Sequence, residues 1–434
     1  MDPKLEEVFG VRAEPVLSYI ERPDVDDRFV AGLKSDKQIV VYGASKQGKT
    51  SLVTTYLPYE KNVVVRIGPK TEIIDIYASI LRQLGVKILS DVTEGTQRES
   101  NVSIGTKVKA LIPFFGSGEA TAAGGVKAGA TETNKYEEVT FNLALPQDIS
   151  ELLHKTARQK TVILENFHYL DDERQKHFAF DLRTFQELGI RFVILGVWRE
   201  KNRLAQFNGD LLDRVVEVPV EPWEEKDFRR VAEQGGKHLR IEFADYIIEA
   251  CMKASFSSIG VFQELIKEAC INAGLTEAQP ATVRMENQLY VDTAIKKKAD
   301  DYASRHQRAL EAVAAGNLST SGKDGLQPLF LPYYLVKVML AAGYDSVANG
   351  MRRATIQERI QALHHRPNDV RASDMSNLLY NLATLQNNKG ISPPIFDYDK
   401  TTKQLQVVDS TFYFFLRNAD LERISSEIPH PIET

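Results

Sequence analysis

Apolar residues in this chain follow two rhythms, which change over near residue 222. Before that point, short runs rich in β-branched residues stand between helical patterns. QIVVY (38–42), NVVVRI (62–67), TVIL (161–164), RFVILGV (191–197) and VVEVPV (215–220) are near-continuous apolar runs of strand length. Strands buried on both faces read this way. Between them, residues 71–84 place Ile73, Ile74, Ile76, Tyr77, Ile80 and Leu81 at helical spacing, with Thr71 as the cap. SLVTTYL after residue 50 and the segment 174–188 are helical too. Strands alternating with helices predict an α/β fold with a largely parallel sheet covered on both faces.

One segment breaks that rhythm. Val102, Ile104, Thr106, Val108, Ala110 and Ile112 alternate with polar or small neighbours, and so do Val139, Phe141, Leu143 and Leu145. GSGEATAAGGVKAGATETNK lies between the two stretches, so a long β-hairpin is expected at about 95–146, inserted before the third strand. Its KALIPFF segment (109–115) is either a partner surface or the hairpin's own packing. From Pro222 the pattern turns helical, through EEKDFRRVAEQGGKHL, FADYIIEACMKAS and VFQELIKEACINAG to a long polar helix over 287–314. GNLSTSGKDGLQP (316–328) has a linker's composition. Helices near 332–342, 355–364 and 373–387 follow, then the strands PIFDYD and QLQVVD joined by KTTK. Three helices and a two-stranded wing predict a winged-helix-like domain. The expected units are a core at 1–221, a helical lid with its connecting helix at 222–315, and the winged-helix-like domain at 329–434.

Charge and cysteine content narrow the function classes. The chain has 54 basic and 59 acidic residues, a net charge of -5, so any attraction to nucleic acid or anionic lipid must be local. Cys251 and Cys270 lie on apolar helical patterns and read as buried thiols, which excludes a disulfide framework or a cysteine zinc site. MDPKLEEVFG carries no signal-like apolar run, and no stretch approaches the roughly 18 apolar residues of a membrane span. A cytoplasmic protein without a membrane partner is expected.

The chemistry is concentrated at Gly43-Ala44-Ser45-Lys46-Gln47-Gly48-Lys49-Thr50, which satisfies G-x-x-x-x-G-K-[ST] at every fixed position, between a strand and a helix. Its glycines let backbone N–H groups curl around phosphates, and the helix start at Ser51 adds a partial positive charge. Lys49 should reach the β and γ phosphates of ATP, and the Thr50 hydroxyl should ligate magnesium. The carboxylate such a site needs is Glu165, directly after TVIL. Asn166 then stands where a water-activating carboxylate would be, and an amide orients water but cannot take its proton. Either hydrolysis is slow, or another group supplies the base, with His168, Asp171 and Asp172 close by. A one-residue shift, with Leu164 in the metal position and Glu165 as the base, is also open. Arg199, at the end of the fourth strand, is the candidate γ-phosphate sensor. Asp213 and Arg214 precede the fifth strand, where an arginine either points at a neighbouring subunit's nucleotide or closes an internal salt bridge.

YIERPDVDDRF, GASKQGKTSL, VILENFHYL, VILGVWRE, LLDRVVEVPVEPW and SSIGVFQELIKEA occur in an order that resembles AAA+ and STAND-type ATPases over about residues 15–275. Origin-recognition-like and transposition-regulator-like AAA+ proteins look most similar. That resemblance implies that Tyr19 and Arg22 hold the adenine end, that Arg199 is the first sensor, that Arg214 lies in the arginine-finger region, and that Gly260 is the lid turn. SSIGVFQEL lacks the usual second-sensor arginine and Asn166 replaces the usual glutamate, which puts fast turnover in doubt and leaves nucleotide binding intact. By analogy, many bacterial STAND-type proteins of this look are conflict or phage-defence switches.

Two function classes are therefore in view. One is an ATP-driven switch that forms homo-oligomers and signals to a protein partner. The other is an ATP-regulated DNA-binding protein using its winged helix. SDMSNLLYNLATLQNN (373–388), the recognition-helix candidate, has neither lysine nor arginine. Arg352, Arg353, Arg359, Arg366, Arg371 and Lys389 supply charge outside it, against Glu358, Asp369 and Asp374 in the same span. So modest an excess favours the switch.

Overall fold

The computed structural model describes residues 2–12, 14–91, 107–113, 136–156, 161–316 and 327–431. Helices α1 (Leu5–Val8) and α2 (Pro23–Lys34) lead into strand β1 (Gln38–Gly43), helix α3 (Lys49–Tyr56), strand β2 (Val63–Arg66) and helix α4 (Ile73–Gln83). The cap of α4 is Glu72 in a capping box with Asp75, not Thr71, whose hydroxyl instead accepts from Gly68 N at 2.9 Å. Strands β3 (Lys87–Asp91), β4 (Lys107–Pro113) and β5 (Tyr136–Asn142) form an antiparallel sheet of their own. The expected insert is thus a hairpin on a third strand; its glycine-rich tip lies outside the described residues. Helix α5 (Pro146–Thr156) returns the chain to β6 (Val162–Glu165), α6 (Asp172–Glu187), β7 (Phe192–Val197), α7 (Arg203–Phe207) and β8 (Val215–Pro219).

The central sheet runs β2-β6-β7-β1-β8 with every pairing parallel. Residues of β1 and β6 are buried throughout, as the continuous apolar runs require. One core lies on the α4–α6 face around Tyr77, Phe178, Phe185 and Phe192; the other packs Phe29, Leu52 and Val53 against Val41 and Val218. All five strands end at one edge, where β1 turns into α3.

A lid follows: α8 (Glu225–Leu239), β9 (Ile241–Phe243), α9 (Asp245–Ala254), α10 (Ile259–Asn272), β10 (Val283–Met285) and the long α11 (Gln288–Ala314). Cys251 and Cys270 are free and fully buried in its core, and burial pushes the Cys270 thiol up to about 12. The C-terminal unit comprises α12 (Leu331–Val347), β11 (Met351–Arg352), α13 (Arg353–Leu363), α14 (Ala372–Tyr380), α15 (Leu382–Asn388), β12 (Phe396–Asp399), β13 (Gln404–Val407), α16 (Ser410–Asn418) and α17 (Leu421–Glu427). The expected wing is β12 paired antiparallel with β13, and β11 adds a third strand. The expected helix over 373–387 is two helices that meet at Asn381. No helix among the described residues is long and apolar enough to cross a membrane.

Candidate nucleotide site

β1 ends at Gly43, and the loop closes on Gly48, whose φ of 82° is left-handed, so that α3 begins at Lys49. Lys49 Nζ folds back onto the carbonyls of Gly43 (2.9 Å) and Ala44 (2.6 Å). Burial lowers its pKa to about 8, against the opposing pull of Glu221. A cavity of about 370 Å³ opens beside the loop, lined by Lys46, Gln47, Gly48, Lys49, Thr50 and Ser51 and by Glu165 and Asn166 across from them. The lid closes against the same loop. Gly260 N donates to Lys46 O at 2.9 Å, and a Cβ at Gly260 would stand 2.7 Å from that oxygen, so only glycine fits without a shift.

Leu164 is buried in the core, and Glu165 is the first β6 side chain to reach the sheet edge. Glu165 Oε1 lies 3.5 Å from Thr50 Oγ1 and accepts from Tyr59 OH at 2.7 Å, while Oε2 accepts from Arg66 Nε at 3.1 Å. A hydroxyl and a carboxylate converging on one point form the all-oxygen donor set a hard divalent cation requires, so these residues fit magnesium. Among the described residues, no cluster of three or more His, Cys, Asp or Glu side chains forms a second metal site. Tyr59 and Arg66 were not singled out by sequence. Arg66 ends β2 in register with Glu165, and only the β2–β6 pairing brings them together.

Asn166 lines the cavity in the left-handed conformation (φ 61°), which asparagine tolerates better than most residues. His168 is buried on the neighbouring 3₁₀ turn, its ring centroid 4.4 Å from that of Tyr169, and neither of its ring nitrogens has a hydrogen-bond partner. Burial, then Lys49 and Arg203, lowers its pKa to about 3, so it is neutral at ordinary pH. Asp171 is engaged in capping α6, accepting from Arg174 N at 2.9 Å, and Asp172 pairs with Lys400.

Arg199 does not face the main cavity. Its guanidinium pairs with Glu221 Oε1 (2.9 Å) and donates to Tyr413 OH (3.3 Å) beside a second cavity of about 470 Å³. Glu221 Oε2 in turn accepts from Ala44 N at 2.6 Å, and Oε1 accepts from Gln47 Nε2 at 3.1 Å. Arg199 therefore meets the loop through Glu221, a residue that sequence reasoning missed. Arg214 sits at the opposite edge of the sheet, because Val215 is in register with Gln38 at the start of β1. Its guanidinium is held within the chain by Gln186 (2.5 Å) and Glu187 (3.2 Å). Tyr19 and Arg22 do lie at the loop, lining a small cavity beside Gly48, Ser51 and Leu52; Tyr19 OH donates to Asp26 at 2.5 Å.

The far end of the loop is covered by the C-terminal unit. Ser45 N donates to Val408 O at 2.7 Å. Ser45 Oγ donates to Asp409 Oδ1 (3.1 Å) and accepts from Ser410 N (3.1 Å), and Ser410 Oγ donates to Ser45 O (2.7 Å). Gln47 Nε2 lies 3.3 Å from Ser410 Oγ, and Arg305 on α11 holds Asp409 at 2.5 Å. Away from the loop, buried Arg203 binds Asp397 through contacts of 3.0 and 3.2 Å, and Asn387 donates to Tyr169 O at 3.3 Å.

A strand, a complete phosphate loop, a helix and a facing carboxylate at one edge of a parallel sheet decide the fold. It is the P-loop NTPase fold. Neither a family model nor a curated protein matches the sequence. Among solved structures, the chain is similar to the Walker-type ATPase PABY2304 of Pyrococcus abyssi, at 11% identity and TM-score 0.45, over 93% of this chain and 100% of that one. It is also similar to Aeropyrum pernix Orc1, solved in complex with DNA (12% identity, TM-score 0.39, 94% and 91% covered). The Thermotoga maritima RuvB Holliday junction branch migration motor is a third (12% identity, TM-score 0.37, 91% and 93% covered). What the site does follows from its own geometry.

Proposed function

We propose that this protein is a magnesium-dependent ATP switch with slow hydrolysis, in which the C-terminal unit senses whether the phosphate loop is occupied. The observation that carries the reading is the Ser45 N–H to Val408 carbonyl hydrogen bond at 2.7 Å. Backbone N–H groups of such a loop are phosphate donors. A phosphate that takes this one must displace Val408, and with it the contacts of Asp409 and Ser410. Arg199 extends the coupling, since it touches Glu221 under the loop and Tyr413 on α16 together. Thr50 and Glu165 would hold the magnesium ion, and Lys49 would leave the Gly43 and Ala44 carbonyls for the phosphates. Asn166 cannot accept a proton as a general base, which is the basis for slow turnover. ATP then releases the C-terminal unit to a protein partner or to further copies of the chain, with Arg214 offered from the far sheet edge. The resemblance to STAND-type ATPases suggests phage defence as the setting.

DNA binding by the winged-helix-like unit is the weaker reading. The Gln386 side chain is fully buried, bonding the backbone at Ile395 and Phe396, and Asn387 is spent on Tyr169, so neither faces outward to read bases. Sizing the purified chain with ATP, with ADP and without nucleotide, each with and without duplex DNA, tests both. The switch predicts a change of shape or assembly with ATP alone; a DNA-dependent shift without any response to ATP alone would favour the second reading.

A further inference from the structure

The cavity of about 470 Å³ beside Arg199 lies where core, lid and C-terminal unit meet, and it shares no lining residue with the cavity at Lys49 and Thr50. Tyr42 and Arg199 reach it from the core, Phe256 and Ser257 from the turn between α9 and α10, and Tyr344 and Tyr413 from α12 and α16. Its volume and its place at a junction of units are those of a small-molecule site. One wall is aromatic. The Phe256 and Tyr344 ring centroids are 4.8 Å apart, and those of Tyr344 and Tyr413 are 5.7 Å apart. The lid gives up ordinary backbone geometry to supply the first of these rings: Phe256 (φ 49°) and Ser257 (φ 60°) are consecutive left-handed residues, and neither is glycine. The other end is cationic. Arg199 donates to Glu221 Oε1 (2.9 Å) and to Tyr413 OH (3.3 Å), which leaves further N–H donors of its guanidinium for a ligand. Lys201 is exposed, also lines the cavity, and has no carboxylate within ion-pair distance among the described residues.

We propose that this cavity is an effector site for a nucleoside monophosphate, and that its occupant opposes ATP. A phosphoryl group suits Arg199 and Lys201, since a guanidinium holds such a group through two parallel donors. Glu221 beside Arg199 limits the negative charge that the site accepts, which favours one phosphoryl group over a chain of two or three. A base suits the Phe256 and Tyr344 wall, and the Ser257 hydroxyl and the Asn349 amide supply polar contacts for a sugar. Core, lid and C-terminal unit must all be docked for the cavity to exist, so an occupant stabilises that arrangement. ATP, which in the switch proposed above releases the C-terminal unit, dismantles it. A phosphoryl group that draws Arg199 away also leaves Glu221 with less counter-charge. That carboxylate bonds Ala44 N and Gln47 in the loop, where it disfavours the phosphates of ATP. By reciprocity, each ligand weakens the other by the same factor. The sign of this coupling rests on the switch reading; the site itself does not.

The full chain is titrated by calorimetry with AMP, GMP, CMP and UMP and with inorganic phosphate, as wild type, Lys49→Ala, Lys201→Glu and Tyr344→Ala. At least one monophosphate should bind wild type and Lys49→Ala alike. It should bind about tenfold or more tighter than inorganic phosphate, the scale of one base–aromatic stack. Lys201→Glu, a change at an exposed position, should weaken that binding about tenfold, and so should Tyr344→Ala; retained ADP binding shows that both variants fold. Saturating monophosphate should lower wild-type ATP affinity severalfold, and Lys201→Glu should remove that effect. Binding lost in Lys49→Ala would place the monophosphate in the phosphate loop and overturn the site. No monophosphate tighter than inorganic phosphate, or wild-type binding in both Lys201→Glu and Tyr344→Ala, would overturn it too. Unchanged or tighter ATP affinity at saturation would overturn the opposition. A monophosphate that binds Lys49→Ala, in a chain whose α16 hydrogen exchange ignores ATP, would uphold the site and remove the switch reading.

Discussion

The two ends of the phosphate loop are held in different ways. At Lys49 and Thr50 the partners lie within the core sheet: the carbonyls of Gly43 and Ala44, and Glu165 on β6, two strands from β1. These are contacts that phosphate and magnesium can replace without moving any other part of the fold. At Ser45 the partners are Val408, Asp409 and Ser410, which belong to a separate unit at the other end of the sequence. The first end makes a binding site. In the proposed switch, the second makes occupancy of that site mechanically legible elsewhere. A loop held only as Lys49 is held would bind nucleotide without reporting it.

The comparison breaks most completely at Lys49. Lys49→Ala should lower affinity for ATP and ADP by about a hundredfold or more, through loss of a charge-assisted contact. Alanine suits the start of α3, so circular dichroism and the melting curve should stay close to wild type. Unchanged affinity by calorimetry would remove the binding-site half of the account.

Glu165→Gln should cut ATP hydrolysis by at least about a hundredfold while ADP binding without magnesium stays near wild type. A steady-state phosphate-release assay, run beside calorimetry, separates the two. Loss of metal-free ADP binding instead would mean that Glu165 supports the loop through Tyr59 and Arg66 and has no part in the metal site.

The other end gives a smaller effect of opposite sign. Ser410→Ala removes the bonds to Ser45 O and from Gln47, worth about 1 kcal/mol each, and so weakens docking without touching the phosphate donors. ATP affinity should rise about fivefold to tenfold by linkage. An unchanged or weaker affinity would uncouple Ser45 from the nucleotide.

A pH dependence sharpens the Lys49 end further. With its pKa lowered to about 8 in the nucleotide-free protein, Lys49 loses its proton in mildly alkaline solution. Bound phosphate favours the charged amine and raises that pKa, so binding takes up a proton between pH 8 and the higher bound-state value. Affinity should fall as pH rises above about 8, by less than tenfold per pH unit for one proton. Calorimetry at pH 8.5 in buffers of different ionisation enthalpy should show uptake; release would reverse the assignment.

Arg214→Ala should have the least effect on the isolated chain, since its partners Gln186 and Glu187 are partly solvent-exposed. Mixed with Lys49→Ala, it should recover some ATPase activity if the arginine acts on a neighbouring copy. No recovery, with a monomer at all concentrations in ATP, would leave Arg214 as an internal strut.

The sequence made one end of this comparison readable and left the other out of sight. Strands β1, β6, β7 and β8 and the loop between β1 and α3 follow from local rules: continuous apolar runs and fixed glycine, lysine and threonine spacing. Glu165 could be found because it ends a strand. Glu221, Arg66 and Tyr59 could not, because what gives them a role is pairing between strands far apart in sequence. Helix α16 was missed for a different reason. STFYFFL shows no helical stripe because its residues are buried on all sides, and a helix without a polar face has no amphipathic period to detect. The docking of Val408–Ser410 on Ser45 depends on that helix's capping turn at Asp409, so it was hidden as well.

The central claim is that ATP and the C-terminal unit compete for the Ser45 end of the loop. Hydrogen exchange of the full chain, followed over residues 404–418 with ATP and magnesium, with ADP, and without nucleotide, tests it most directly. The account predicts faster exchange in this segment with ATP than in either other state, while β1 and β7 stay protected. Equal or slower exchange with ATP bound, at saturation verified by calorimetry, would contradict it.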